Sequence, residues 1–259
     1  MGWVAGPEIG TPKYICWDFD GTLAYRNGTW SRCLMDVLRT ARPDCAVAVE
    51  ALYPHLGAGF PRHQPEAEHT DITDAEGWWR RVTPVFVNAF RAVLRCSEEE
   101  AIALSSLVRP AYLDAGAWKV YDDTFQCLEE LRSQGCRHVI LSNHVPELPQ
   151  IVDCLGLTPY IDRIFNSAET GYEKPHPRAF QNVIESLRPC SSIWMVGDNP
   201  VADIEGARAV GMKALLVRAA GKSLREVRRL VAAGDGFHAG LRTLHDQDER
   251  NHAEEDVGQ

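Results

Sequence analysis

Short apolar runs alternate with amphipathic stretches along the chain from Trp118 onward. Each apolar run is bounded by turn residues, which predicts a buried strand, and the stretches between the runs have the apolar spacing of helices. The strands are predicted at residues 137–141, 161–165, 192–196 and 213–217, and the helices at 122–134, 146–155, 177–187, 201–210 and 223–232. Strands that alternate with helices favour a doubly wound parallel sheet, so we expect an α/β fold.

Another apolar run near the amino terminus, residues 14–17, predicts a further strand, and two acids follow it at Asp18 and Asp20. Side chains alternate faces along an extended backbone, so acids at this spacing point the same way. Gly21 then allows the chain to turn sharply. Ligands of open parallel sheets bind at the carboxyl ends of the strands. Two adjacent carboxylates require a cation or a proton, which indicates metal binding and acid–base chemistry.

The segment between these two parts of the chain has helical spacing and loops but no alternation typical of strands. We therefore predict a helical domain, residues 26–117, inserted into an α/β core formed by residues 1–25 and 118–245. Asn27-Gly28 is a turn signal that predicts a small hairpin just beyond the acids. The polar, acidic end of the chain, residues 246–259, is predicted to be disordered.

Composition narrows the range of functions. The chain has 259 residues, 45% of them hydrophobic, and a net charge of −9, which argues against a dedicated nucleic-acid-binding protein. No apolar run is long enough to cross a bilayer, and residues 1–12 lack the features of a secretory signal. The eight cysteines are scattered without a Cys-x-x-Cys pair, as expected for thiols in a reducing compartment. We therefore expect a cytoplasmic protein without a membrane partner, whereas the oligomeric state is not indicated.

Polar residues at the ends of the other predicted strands extend the candidate site. The Ser142 hydroxyl and the adjacent Asn143 follow an apolar run, where they suit either a phosphate oxygen or a helix cap. Lys174 lies in a stiff segment with two prolines, where it is either a fixed counter-charge or a surface lysine. Asp198 ends a strand, while Asp203 falls in the first helical turn, where it either supports a metal site or stabilises the helix start.

Four motifs occur in the order that characterises one known superfamily. They are the pentapeptide Asp18-Phe19-Asp20-Gly21-Thr22, the strand-ending Ser142, Lys174 in a K-P-x-P setting, and Gly197-Asp198 with Asp203. Together they resemble the haloacid dehalogenase-like hydrolase superfamily, over roughly residues 1–25 and 118–240. The resemblance implies a Rossmann-like core. The inserted helical segment corresponds in position to the type 1 cap of that superfamily, in its phosphatase branch.

The resemblance implies a Mg²⁺-dependent phosphatase that hydrolyses the phosphate monoester of a small metabolite through an aspartyl phosphate. Asp18 would be the nucleophile, and Asp20 the acid for the leaving alcohol and then the base for water. The implied Mg²⁺ ligands are the Asp18 carboxylate, the Asp20 backbone carbonyl and the Asp198 carboxylate. Supporting positions are implied for Thr22, which would fix the Asp20 loop, and for Asp203. The residues implied to hold the phosphoryl group are Ser142, Asn143 and Lys174.

Alternatives to the phosphatase remain open at this point. A phosphomutase would use the same core but return the phosphoryl group to a sugar. A non-catalytic phosphate-binding module should have lost one of the acids, and none is lost. A dehalogenase displaces halide, which needs no proton, whereas the acid Asp20 is present here. The candidates for substrate specificity are Arg26, Trp78, Arg81 and His144, and the sequence does not identify the leaving group.

Overall fold

The structure, a computed structural model, describes residues 11–72, 74–218 and 222–232. The strands are β1 (Lys13–Trp17), β2 (Ala24–Arg26), β3 (Trp118–Val120), β4 (Cys136–Ser142), β5 (Arg163–Asn166), β6 (Ser192–Gly197) and β7 (Lys213–Leu216). The α-helices are α1 (Thr29–Ala41), α2 (Ala75–Leu94), α3 (Glu98–Ser106), α4 (Val108–Leu113), α5 (Thr124–Ser133), α6 (Leu148–Cys154), α7 (Ser167–Thr170), α8 (Pro177–Ser186), α9 (Gly206–Ala209) and α10 (Arg225–Ala232). The predicted tail, residues 246–259, lies outside the described residues.

Five of the strands form one parallel sheet in the order β5-β4-β1-β6-β7. After its first residue, Lys13, the central strand β1 is apolar and buried, as expected for a parallel strand that is covered on both faces. Trp17, its last residue, lies beside Ile140 of β4 and Val196 of β6. The three strands therefore end at nearly the same level, and the polar residues that follow them meet at one edge of the sheet.

Helices cover both faces of the sheet, which confirms the predicted α/β fold. Alternate residues of β1 enter two separate apolar clusters. Ile15 and Trp17 share one cluster with Leu128 of α5, whereas Tyr14 and Cys16 share the other with residues of α8 and α9. All eight cysteines carry free thiols. None of the helices in the described part of the chain has both the length and the hydropathy needed to cross a membrane.

Between β2 and β3, the described residues form helices and loops and no strand. Helices α1 to α4 lie here, with three short 3₁₀ helices at Val49–His55, Pro61–His63 and Ala115–Ala117. Trp30 of α1 is buried at the centre of an aromatic cluster and stacks on Tyr112 with ring centroids 4.1 Å apart. The same apolar cluster continues into the sheet beneath, so this helical segment packs directly on the α/β core.

The predicted hairpin at Asn27-Gly28 is wrong, because β2 pairs with a strand that is distant in sequence. Gly28 has φ 64° and precedes the first residue of α1, so its left-handed backbone starts a helix instead of closing a hairpin. Strand β2 runs antiparallel to β3, with Arg26 opposite Trp118. The two connections between the helical segment and the sheet therefore run side by side as a two-stranded ladder.

Candidate active site

Asp18 and Asp20 lie immediately beyond the carboxyl end of β1. The Asp18 N–H donates to the Val196 carbonyl at 2.8 Å, so the pairing with β6 continues one residue past the strand. The chain then turns, because the Phe19 carbonyl accepts hydrogen bonds from the three N–H groups of residues 22–24. The Asp18 side chain is buried, and Asp20 is intermediate in exposure. This geometry places both acids at the edge where the strands end.

Gly21 brings the loop after β1 against the end of β6. Its φ of +90° lies in the region that favours glycine, and a Cβ atom there would come within 2.5 Å of Asp198 Oδ2. Thr22 Oγ1 donates to Asp198 Oδ1 at 3.3 Å. Arg218 donates two hydrogen bonds to the Thr22 carbonyl, from Nε at 3.1 Å and Nη2 at 3.0 Å. The loop is thus fixed to Asp198 through Thr22, and Arg218 is a contributor that sequence reasoning missed.

Lys174 is buried and pairs with two carboxylates of the site. Its Nζ lies 2.8 Å from Asp18 Oδ1 and 2.5 Å from Asp203 Oδ1. Burial favours the neutral amine, but the two carboxylates outweigh it and raise the pKa of Lys174, so the side chain is a cation. Ser142 Oγ donates to the same Asp18 oxygen at 2.9 Å. Asp18 is therefore held by a hydroxyl at the end of β4 and by a lysine in the loop that precedes α8.

Asp203 is positioned by an irregular start to the helix after β6. Residues Pro200–Glu205 form a turn of π-helix, and Asn199 caps it by accepting from the N–H groups of Val201 and Ala202. Asp203 Oδ2 accepts from the Asn199 N–H at 3.0 Å, and its Oδ1 accepts from Lys174. Both oxygens of Asp203 are therefore engaged by the protein, and its supporting position at a metal site stays a prediction.

The carboxylates of the site raise one another's pKa. Burial, followed by the charges of Asp18 and Asp198, raises the pKa of Asp20 to about 7. Burial also raises the pKa of Asp18, against the opposing effect of Lys174, and that of Asp198, where Asp203 adds to it. Lys174 contacts only two of these four carboxylates, Asp18 and Asp203, and the raised pKa of Asp20 leaves it partly protonated near neutral pH.

The donor set fits a divalent metal ion. Single carboxylate oxygens of Asp18, Asp198 and Asp203 all lie within 4.8 Å of one another. Magnesium prefers oxygen ligands, and excess negative charge at the site favours a cation. Because both Asp203 oxygens already accept hydrogen bonds, Asp18 and Asp198 are the better candidates for direct ligands. Asp20 contributes no carboxylate oxygen to this group, so its expected ligand remains the backbone carbonyl.

Asn143 has a different partner from the one expected. Its Nδ2 donates to the Lys174 carbonyl at 2.9 Å, and its Oδ1 accepts from the Lys174 N–H at 2.7 Å. The side-chain amide is therefore committed to the lysine loop, so it positions Lys174 in this structure. Phosphate binding by Asn143 stays a prediction.

A small cleft lies beside Asp20, with walls from the sheet edge and from the helical segment. It is lined by Asp20, Thr29, Trp30, Phe60, Pro61, Arg62, Trp78, Tyr112, Asn143, His144, Val145 and Glu173. Of the residues expected to determine specificity, Trp78 and His144 line it. Burial lowers the pKa of His144 to about 3, so its ring is neutral at physiological pH.

The other two expected specificity residues are not among those that line this cleft. Arg26 is buried and donates to Asp36 Oδ2 at 3.2 Å, and Arg81 lies 3.7 Å from Asp71. Sequence reasoning missed Arg62 and Glu173, which do line it. Glu173 was adjacent to a motif lysine, whereas Arg62 lies in a loop without periodicity, where no local signal identifies it.

Comparison with known proteins places this arrangement in a family. The family model described as haloacid dehalogenase-like hydrolase matches residues 12–211. The human haloacid dehalogenase-like hydrolase domain-containing protein 3 is 34% identical over 124 residues, which are 46% of this chain and 49% of the relative. The ribulose-1,5-bisphosphate 5-phosphatase of Halopiger xanaduensis is 37% identical over 119 residues, 45% of this chain and 49% of the relative. The chain thus spans about half the length of these curated relatives.

Solved structures share the fold at low sequence identity. The HAD-hydrolase YfnB from Bacillus subtilis, solved bound to magnesium, aligns with a TM-score of 0.62 and 18% identity. The alignment covers 86% of this chain and 99% of that protein. The likeness therefore extends over both the sheet and the helical segment.

Proposed function

Because this chain belongs to the haloacid dehalogenase-like hydrolases, we propose that it is a Mg²⁺-dependent phosphatase acting on a small phosphate monoester through an aspartyl phosphate on Asp18. The observation that carries this proposal is the pair of acids at the end of β1. One is held against Lys174 and Ser142, and the other has a pKa of about 7. A relative that is a sugar bisphosphate phosphatase supports the same reaction class.

In the first proposed step an Asp18 oxygen attacks phosphorus and the bond from phosphorus to the ester oxygen breaks. Asp20 gives its proton to the departing oxygen, which is released as an alcohol. A pKa of about 7 leaves a substantial fraction of Asp20 protonated at neutral pH, as an acid catalyst requires. The Lys174 ammonium, 2.8 Å from Asp18, offsets the negative charge that gathers as phosphoryl group and carboxylate approach.

In the second step Asp20, now ionised, takes a proton from water as the water oxygen attacks phosphorus. The bond between phosphorus and Asp18 breaks, so inorganic phosphate leaves and the Asp18 carboxylate is restored. Mg²⁺, held by the Asp18 and Asp198 carboxylates and the Asp20 carbonyl, would supply positive charge for the phosphoryl oxygens. Both half-reactions use Asp20, first as acid and then as base.

We further propose that residues 26–117 act as a cap that covers the substrate during the reaction. The cleft beside Asp20 has walls from this segment and from the sheet edge, which supports that role. The two connections to the sheet pair as β2 and β3, so they can move together as one hinge. Closure over the substrate would exclude bulk water from the first step.

The proposal is tested by trapping the phosphoenzyme. With p-nitrophenyl phosphate the leaving group needs little protonation, so the Asp20→Asn variant should complete the first step better than the second. A mass increase of one phosphoryl group after acid quench, located on Asp18 by peptide mapping, is expected. Asp18→Asn should show no adduct, and the exposed Asp44→Asn should turn over like the parent.

Several results would overturn the assignment of roles. An adduct on Asp20 or Ser142, or any adduct in the Asp18 variant, would show that Asp18 is not the nucleophile. If the parent transfers the phosphoryl group to a sugar and releases no free phosphate, the protein is a phosphomutase. A parent that releases halide from haloacids and no phosphate from esters is a dehalogenase.

A further inference from the structure

The cleft beside Asp20 contains a set of buried polar atoms without hydrogen-bond partners. Among the described residues these include Nε1 of Trp30 and of Trp78, both ring nitrogens of His144, and Oε2 of Glu173. All four residues line this one cleft. Buried polar atoms in native proteins nearly always have a partner, so a concentration of unpartnered donors and acceptors here indicates a site that binds a polar ligand.

Arg62 adds the one positively charged side chain among the described residues lining this cleft. Burial lowers the pKa of its guanidinium, while the neighbouring Tyr112, Glu173 and Asp20 oppose that effect. Its guanidinium carbon lies 4.7 Å from the centre of the Phe60 ring. A guanidinium presents a planar fork of N–H donors that matches the two oxygens of a carboxylate.

The loop that carries Arg62 is fixed to the loop that carries Glu173. The His69 N–H donates to the Gly171 carbonyl at 2.8 Å, and Glu68 forms an antiparallel bridge with Tyr172. The Gly171 backbone approaches the Arg62 loop so closely that a Cβ atom there would lie 2.9 Å from Thr70 Cα. The cation and the carboxyl group are therefore held in the cleft by backbone contacts between the helical segment and the sheet.

We propose that Arg62 and Glu173 determine substrate specificity by binding the leaving group, an inference that rests on the proposed phosphatase function. Arg62, with the indole N–H groups of Trp30 and Trp78, binds a carboxylate of the substrate. Glu173 accepts a hydrogen bond from a hydroxyl or amino group beside that carboxylate. The substrate class is thus the phosphate esters of small hydroxy or amino acids.

Two other ligand classes fit the cleft less well. A nucleobase would need a free aromatic face, but the Trp30 ring is buried and already stacks on Tyr112 and on Phe60, with centroids 4.1 and 5.1 Å apart. A second phosphate is a dianion, whereas the charged side chains lining the described cleft are one arginine and the acids Asp20 and Glu173. One guanidinium balances the single charge of a carboxylate.

The experiment uses matched esters that differ by one group. 3-Phosphoglycerate and glycerol 3-phosphate share three carbons and differ in a carboxylate, which a hydroxymethyl group replaces in the second. We expect the parent to favour 3-phosphoglycerate in kcat/KM by about 10- to 100-fold, the range of a charge-assisted contact. Arg62→Met should abolish that preference, and Arg62→Lys should retain part of it. Arg81→Met removes an arginine outside the cleft and should leave the ratio unchanged.

Glu173 is tested with an ester that lacks the donor. The phosphate ester of 3-hydroxypropanoate keeps the carboxylate but has no hydroxyl or amino group beside it. Glu173→Gln should lower kcat/KM for 3-phosphoglycerate and for phosphoserine by about 10-fold relative to this truncated ester. An equal effect on all three esters would show that Glu173 does not contact the donor group, and it would overturn that part of the proposal.

Outcomes for the two proposals are separable. If the parent hydrolyses p-nitrophenyl phosphate but does not distinguish the matched pair, the proposed specificity is wrong and the proposed phosphatase function is supported. The parent could instead prefer a bisphosphate such as ribulose 1,5-bisphosphate over 3-phosphoglycerate, with the same dependence on Arg62. That result would overturn the proposal that Arg62 binds a carboxylate. If no ester is hydrolysed, the proposed phosphatase function is wrong. Calorimetric binding of the matched pair to Asp18→Asn, which does not turn over, still tests Arg62.

Discussion

The side chain of Asn143 and the backbone of Lys174 exchange two hydrogen bonds, one in each direction, at 2.9 and 2.7 Å. The pair joins the loop that follows β4 to the loop that precedes α8. Because the lysine backbone is fixed in this way, its ammonium group reaches Asp18 from a defined direction. Asn143 therefore acts on the site through the position of Lys174.

Removal of this pair should weaken both stability and activity. In Asn143→Ala the Lys174 N–H and carbonyl lose their partners, and a partly buried, unsatisfied group costs about 1–3 kcal/mol. We expect a lower free energy of unfolding in urea and a lower kcat with p-nitrophenyl phosphate. Asn88→Ala, which changes an exposed asparagine of α2, is the control and should change neither quantity. Full activity in Asn143→Ala would contradict the positioning role.

Lys174 balances the negative charge of two buried carboxylates, so its removal should lower the free energy of unfolding. Lys174→Met leaves Asp18 and Asp203 without their cation, and breaking such a buried pair costs about 3–5 kcal/mol. The loss should be greatest above neutral pH and shrink as the pH falls, because protonation of the two acids removes the uncompensated charge. Denaturation of metal-free protein at pH 5 and pH 8 measures it, with the exposed Lys119→Met as control. A pH-independent loss would contradict this account.

Metal removal should abolish phosphate-ester hydrolysis, and Mg²⁺ should restore it. Full activity in thoroughly metal-stripped protein would defeat the proposed mechanism. Asp198→Asn keeps the side-chain shape and its contact with Thr22 but removes one negative charge from the site. We expect weaker Mg²⁺ binding by calorimetry in this variant, with an unchanged fold by circular dichroism. Asp44→Asn should bind Mg²⁺ like the parent, and equal binding by Asp198→Asn would show that Asp198 is not a ligand.

Glu173 should make stability depend on pH. Burial raises its pKa from 4.5 to about 7, although a hydrogen bond with Ser167 and then the charges of Arg62 and Lys174 oppose the shift. The folded state therefore favours the neutral acid, and the stability that this contributes is present below pH 4.5 and lost as the pH rises through 7. Glu173→Gln cannot ionise, so it should match the parent at pH 4 and exceed it above pH 7, by at most about 3 kcal/mol.

Urea denaturation of metal-free parent and variant across that pH range measures the difference. Asp20 titrates in both proteins, so its contribution cancels in the comparison. A difference that stays constant from pH 4 to pH 8 would mean that the pKa of Glu173 is the same in the folded and the unfolded protein. Because the variant differs from the parent only at Glu173, a pH-dependent difference in stability is due to this side chain and not to the carboxylates around Asp18.

The sequence by itself determined the sheet and the order of the site residues along it. The strand before Asp18 is buried on both faces, so its apolar run predicted a strand without tertiary information. Asp18, Ser142 and Asp198 follow strand ends, and parallel strands bring such ends together whatever the details of packing. Caps such as Asp74, whose side chain accepts from the Gly77 N–H, were also predictable because capping involves near neighbours in the chain.

Only the tertiary structure decided which side chains face one another. The partner of β2 lies beyond the whole helical segment, so the local turn signal at Asn27-Gly28 predicted the wrong pairing. The partner of Asn143 is 31 residues away, and Arg62 and Glu173 line one cleft from two separate loops. Local patterns report periodicity and turn chemistry, whereas these contacts depend on how separate elements pack. The specificity proposed for Arg62 and Glu173 depends on such contacts, and the sequence left it open for that reason.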